Sequence, residues 1–156
     1  MPQSLARVVL HLIFSTRNRQ RVFLTEEMRE HTTCYMAGIL QNLGSSAIRI
    51  GLATDHVHVL HALSRTTSVS DLVATVKRES SEWIKQQPWA RGNLDFAQFH
   101  WQRGYGVFSV SESQIQLVKD YIDQQLGHHR QVTFQEEYRE FLRKHSQTFD
   151  ERYVWD

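Results

Sequence analysis

The sequence predicts an α+β fold: an antiparallel sheet with helices packed on one face, and further helices towards the C-terminal end. Three observations predict it. Strand-like and helix-like segments follow one another in the order strand, helix, strand, strand, helix, strand, before the extra helices begin. Capping residues and glycine or proline stops bracket the helical stretches. The chain of 156 residues, 40% hydrophobic and 22% charged, has the size and make-up of one ordinary globular domain. It shows no internal repeat, low-complexity stretch or linker, so residues 1–156 read as a single domain.

Arg7 to Ser15 (RVVLHLIFS) is rich in β-branched and aromatic residues and reads as a buried strand. Thr25 can cap a helix over Glu26 to Leu43, which Gly44 stops. Ala47 to Leu52 and His56 to Leu63 read as two strands, joined by a short turn at Ala53, Thr54 and Asp55. Ser68 or Ser70 can cap a second helix that runs to Gln86 and is ended by Pro88. Phe99 to Val110 is strand-like but interrupted by Gly104 and Gly106. Ser111 or Ser113 caps a third helix from Gln114 to Leu126, stopped by Gly127. Thr133 with Glu136 three residues on forms a capping box for a last helix through Lys144, and Ser146 to Asp156 shows no period. This order is that of ferredoxin-like domains, with the second sheet face left open for a ligand.

No apolar run approaches the roughly 20 residues a membrane helix needs. The N-terminus lacks a signal-peptide pattern, so a cytoplasmic location is expected. Cys34 is the single cysteine; it allows no internal disulfide and reads as a small apolar filler on the first helix. Net charge is only +1, which alone does not point to nucleic acid. The charges are uneven, however. Arg17, Arg19 and Arg21 cluster, Lys77 and Arg78 form a second group, and Arg103 sits beside a glycine turn, while acids gather near the C-terminus.

Asp55-His56-Val57-His58-Val59-Leu60 carries the first chemical signal. Alternation along a strand points His56 and His58 the same way, with Cα atoms roughly 6.5–7 Å apart. Two imidazoles so placed can converge on one metal ion, or simply decorate a solvated sheet face. His61 falls on the opposite face and reads as a partly buried, hydrogen-bonded histidine. A metal centre with chemistry to do commonly needs a third protein ligand and an open position. Tyr121 and Gln125 are four apart on the third helix and share a face, so a helix that aims Gln125 at a metal also aims the Tyr121 hydroxyl there. Taken alone, that pair is ordinary helix decoration. The two pairs together in one small domain are what raise the reading.

These pairs sit within a longer series: Phe14-Ser15-Thr16-Arg17-Asn18-Arg19, Asp55 to Leu60, Lys77 with Ser80-Ser81 and Trp83-Ile84, Trp101 to Gly106, Phe108 to Ser111, Tyr121 to Gln125 with His128-His129, and Asp150 to Trp155. In this order the chain resembles the single-tyrosine transposases of the insertion-sequence-200-like family, within the endonucleases named for a His-hydrophobe-His motif. The resemblance implies a ferredoxin-like fold and a homodimer in which one subunit can supply the tyrosine helix to the other. It implies His56, His58 and Gln125 as ligands of Mg2+ or Mn2+, and Tyr121 as nucleophile. It implies cutting and rejoining of single-stranded DNA, with hairpins at the ends of a mobile element as the recognised form.

The chemistry suits the residues. A tyrosine hydroxyl near its reference pKa of about 10 is a weak nucleophile and needs a polarised target. A divalent ion on a phosphate oxygen provides one, and the two imidazoles and the amide leave the ion its full charge. The chain has no P-loop pattern, in keeping with a transesterification that needs no ATP. Arg17, Arg19, Lys77, Arg78 and Arg103 are the candidate phosphate contacts, and Tyr105, Trp101 and Phe108 are aromatic residues that could stack on bases or fill the core. Three other readings compete: a replication or plasmid-transfer nickase, a non-catalytic single-strand-binding module on the same sheet, and a zinc hydrolase. The last needs a further histidine or carboxylate beside His56 and His58.

Overall fold

The computed structural model describes residues 2–127 and 132–156, so the His128-His129 pair lies outside the described residues. Four strands, β1 (Val9–Ser15), β2 (Ala47–Leu52), β3 (His56–Ala62) and β4 (Gly106–Ser109), form one antiparallel sheet in the order β2-β3-β1-β4. Helices α1 (Glu26–Asn42) and α2 (Val69–Gln86) make the two crossovers. A short helix, α3 (Leu94–Ala97), precedes β4, and α4 (Ile115–Gly127) and α5 (Phe134–Lys144) follow it. The fold is the ferredoxin-like arrangement that the element order predicts.

The caps form largely as the side chains dictate. Thr25 Oγ1 accepts from the Met28 amide at 3.2 Å, and Ser68 rather than Ser70 accepts from the Asp71 amide at 3.1 Å. Thr133 and Glu136 close the expected capping box. Gly44 ends α1 with φ +65°, a conformation costly for a residue with a Cβ. Neither Ser111 nor Ser113 caps α4 directly: a 3-10 turn over Glu112–Gln114 intervenes. The strand expected over Phe99 to Val110 is shorter. Only Gly106–Ser109 pairs in the ladder, while Trp101 makes an isolated bridge to Thr16.

Period-two alternation divides the sheet into two faces. Leu12, Phe14, Val57 and Val59 turn towards α1 and α2 and join Met36, Ile39, Leu40, Leu72, Val73, Val76 and Ile84 in the main core. Trp101 and Phe23 stack in that core at 5.7 Å, and Trp101 Nε1 donates to Ser80 Oγ at 2.9 Å. The opposite face is not open, as the sequence suggested. Ile122 of α4 packs on Val9 and Leu60, and Phe134, Tyr138 and Leu142 of α5 pack on Ile13 and Phe108. Each C-terminal helix has its own apolar stripe, and the second face of the sheet is the surface on which those stripes are buried. Cys34 is exposed rather than a core filler. No helix among the described residues is long and apolar enough to cross a membrane.

Candidate active site

His56 and His58 lie two residues apart on β3 and face α4 and α5, opposite Ser15 and Ile13 of β1. Each is 1% exposed. Phe134 of α5 stacks on the His56 ring at 4.7 Å between centroids. From α4, Tyr121 meets His58 edge to face at 5.6 Å. The groups converge on a residue the sequence reading did not single out, Glu137 of α5. Its Oε1 lies 3.1 Å from His58 Nε2 and its Oε2 3.7 Å from His56 Nε2. The Tyr121 hydroxyl donates to the same carboxylate. The imidazole pair and the phenol therefore meet within one chain.

Both imidazoles are held from behind. His56 Nδ1 sits 2.6 Å from Asp55 Oδ1, an acceptor, so Nδ1 carries the proton and Nε2 faces Glu137. His58 Nδ1 lies 2.9 Å from Nε2 of His11, a buried histidine of β1. Burial first, then the neighbouring His58 and His145, pushes the His11 pKa well below the usual histidine range, which keeps that ring neutral and able to accept. Burial also raises Glu137 from 4.5 to about 7; His56 opposes that rise and Asp55 adds to it. His61, on the other face, is buried and its Nδ1 lies 2.9 Å from the Ala62 carbonyl, the structural role expected for it.

Gln125 follows Tyr121 by one turn of α4. Its Oε1 is buried with no hydrogen-bond partner among the described residues. Such an atom costs free energy unless something pairs with it. A metal ion is one such partner. His56, His58 and Glu137 offer ligand atoms all within 4.8 Å of one another, close enough to share an ion. The donor chemistry of the site therefore fits a hard divalent cation. Among the other tyrosines, Tyr138 is buried and burial pushes its phenol up to about 12, while Tyr35 stacks on Trp83 at 4.8 Å.

The basic candidates separate. Arg17 and Arg103 are exposed and line one cavity of about 490 Å³ with Asn18, His100, Gln102 and Trp155. Arg19 is half-buried, its guanidinium 5.8 Å from the Trp155 ring, and Arg78 is exposed on α2. Lys77 is differently employed. Its ammonium donates to the carbonyls of Gln102, Arg103 and Gly104 at 2.8, 3.1 and 2.8 Å and lies over the rings of Phe14 and Tyr105. Burial lowers its pKa to about 8, against which the three carbonyls favour the charged form. Trp101 and Phe108 are core residues, and Tyr105 lies beside Lys77.

Residues 4–125 match the family model described as "Transposase IS200 like". The chain belongs to the IS200-like transposase family. This transposase shares its fold with a candidate transposase of Deinococcus radiodurans R1. The two are 22% identical, the match covers 82% of this chain and 98% of that one, and the TM-score is 0.58. It also resembles a REP-associated tyrosine transposase solved with a REP hairpin. There the identity is 13%, the coverage 78% of this chain and 68% of that one, and the TM-score 0.53. No curated protein matches. Family membership makes the protein a DNA-cleaving enzyme, and the His56, His58 and Glu137 group is a buried site that could hold a metal.

Proposed function

We propose that this transposase cuts and rejoins single-stranded DNA by attack of the Tyr121 hydroxyl on a backbone phosphate, beside a Mg2+ or Mn2+ ion held by His56, His58 and Gln125. The observation that carries the reading is the meeting of the Tyr121 hydroxyl and both Nε2 atoms at one carboxylate within a single chain. When bound, a divalent ion supplies charge withdrawal at a non-bridging phosphate oxygen. The remaining work belongs to the side chains. Asp55 and His11 fix the imidazoles with Nε2 forward. Phe134 and Phe141 shield the phenol and the imidazoles from bulk water, and Glu137 accepts the hydrogen bond that orients the phenol.

Attack forms an O–P bond to Tyr121 and breaks the bond to the 3′ oxygen, leaving a 5′-phosphotyrosine and a 3′-hydroxyl. The phenolic proton passes to water, and the leaving oxygen takes one from water. One ester replaces another, so reversal by a different 3′-hydroxyl rejoins the strand without a nucleotide cofactor. Arg17, Arg19, Arg78 and Arg103 are the proposed phosphate contacts, and a DNA hairpin is the proposed substrate form, by analogy with the relative bound to a REP hairpin. Because Tyr121 reaches the histidines of its own chain, a homodimer of this protein would not need to exchange tyrosine helices to complete its sites.

Incubation with single-stranded oligonucleotides and Mn2+, followed by a denaturing gel, tests the reading. Tyr121→Phe should lose the covalent protein–DNA adduct while retaining DNA binding, and His56→Ala should lose metal-stimulated cleavage. A normal adduct from Tyr121→Phe removes Tyr121 from the role. Glu137 also supplies the carboxylate that a zinc hydrolase would need beside the two histidines. The same gel separates that reading, since a hydrolase leaves no adduct.

A further inference from the structure

We infer that Glu137 is a protein ligand of the cation in the DNA-free enzyme, so that metal binding clamps α5 onto β3. The inference rests on the proposal that His56 and His58 hold a cation. It adds an anionic donor, from a different helix, to a ligand set otherwise made of neutral groups.

Four observations carry it. The first is spacing. An octahedral ion with bonds of about 2.1 Å sets neighbouring donors about 3 Å apart and opposite donors about 4.2 Å apart. The Glu137 oxygens lie 3.1 and 3.7 Å from the two Nε2 atoms, and all the candidate ligand atoms fall within 4.8 Å of one another. The second is position. Glu137 is buried on the apolar stripe of α5, among Phe134, Tyr138 and Leu142. A carboxylate is rare in such a place unless it is paired or coordinates a metal. The third is preparation: Asp55 and His11 already hold both Nδ1 atoms, which turns the ligating nitrogens towards Glu137. The fourth is donor type. A carboxylate oxygen suits Mg2+ or Mn2+ better than imidazoles alone would.

The consequence reaches beyond the ion. His56 and His58 belong to the sheet and Glu137 to α5, so one cation sharing them would fasten helix to sheet. The apolar attachment of α5 to this face is a modest cluster around Ile13 and Phe108. The Tyr121 phenol, bonded to the same carboxylate, would be held beside the ion.

The test uses the full chain without DNA. Mn2+ is titrated by electron paramagnetic resonance against wild type, E137Q and H56A, and hydrogen exchange of the α5 amides is followed with and without Mn2+. E137Q should bind Mn2+ about tenfold or more weakly, and the Mn2+-induced protection of α5 should vanish. H56A should lose both. Wild-type affinity in E137Q alongside weakened binding in H56A overturns the role of Glu137 while leaving the histidine site standing. Wild-type affinity in H56A as well removes the histidine site, and with it this inference. Should E137Q not fold, the same titration on E137D decides: binding at least threefold weaker than wild type supports the ligand role, and unchanged binding overturns it.

Discussion

Glu137 makes the metal-free protein sensitive to pH in a direction opposite to that of most carboxylates. Its carboxyl is raised from 4.5 to about 7, chiefly by burial, with His56 opposing and Asp55 reinforcing. A folded-state pKa above the unfolded one means that the fold favours the protonated acid. The stabilisation is fully present below about pH 4.5 and is lost as pH rises through about 7. The span from 4.5 to about 7 converts to about 3 kcal/mol. Other buried groups titrate in the same range. His11 and His61, both lowered by burial, resist protonation in the fold and so favour it as pH rises. A comparison with E137Q isolates the carboxyl, because glutamine keeps its shape and cannot ionise. Urea unfolding of both proteins in EDTA, between pH 5 and pH 8, should show wild type losing stability relative to E137Q by an amount of this order. A flat difference would refute the burial argument. A difference of opposite slope would mean that the carboxylate is already ionised among the imidazoles. Excess Mn2+ should then shrink the pH effect at the alkaline end, since binding to the folded state adds stability by mass action.

Two further perturbations test parts of the structure that support the site. At Gly106, an added Cβ would lie 2.5 Å from the Tyr138 ring, so Gly106→Ala should destabilise by about 1–3 kcal/mol through overpacking. A change below about 0.5 kcal/mol in urea unfolding would show that Tyr138 yields freely. Lys77 spends its ammonium on three carbonyls of the 102–104 loop, so Lys77→Met should lower stability by about 1–3 kcal/mol and leave the salt dependence of DNA binding nearly unchanged. Arg17→Ala or Arg103→Ala should do the reverse, reducing the slope of log K against log salt by about 1. Equal slopes for Lys77→Met and Arg103→Ala, both below wild type, would return Lys77 to the set of phosphate contacts.

What was legible in the sequence follows from where the signals are local. The order of elements, the Thr25 and Thr133 caps and the shared face of His56 and His58 depend on residues a few positions apart, and the structure agrees with each. The convergence of Tyr121 on the histidines is not local; the helix face it shares with Gln125 and the family resemblance pointed to it. His11 was missed because its facing side depends on the β1–β3 register, which pairs it with Leu60 and cannot be read from either strand alone. Glu137 left a trace that went unused. With Phe134, Tyr138, Phe141 and Leu142 it occupies the i, i+3, i+4, i+7, i+8 positions of a helical stripe, the one acid on an apolar face. Grouped only with the acids that gather near the C-terminus, it loses the positional meaning that the stripe gives it.

The same stripe explains why the second face of the sheet is covered. On the α1 and α2 side, the main core joins both crossover helices, β1, β3 and the aromatic group of Phe23, Phe96, Phe99 and Trp101. On the other side, α4 and α5 are attached through two separate small clusters, with the histidines and Glu137 in the seam between them. On the proposed mechanism a DNA phosphate would have to reach imidazoles that are each 1% exposed, so a covering element would have to give way. That element would be the one whose burial costs least to undo, and the sheet that holds the imidazoles is not it. The division of labour is thus set by packing. β3 and its support from Asp55 and His11 hold the two imidazoles in register, while the phenol and the carboxylate come from α4 and α5, which pack over the second face of the sheet through the two smaller clusters.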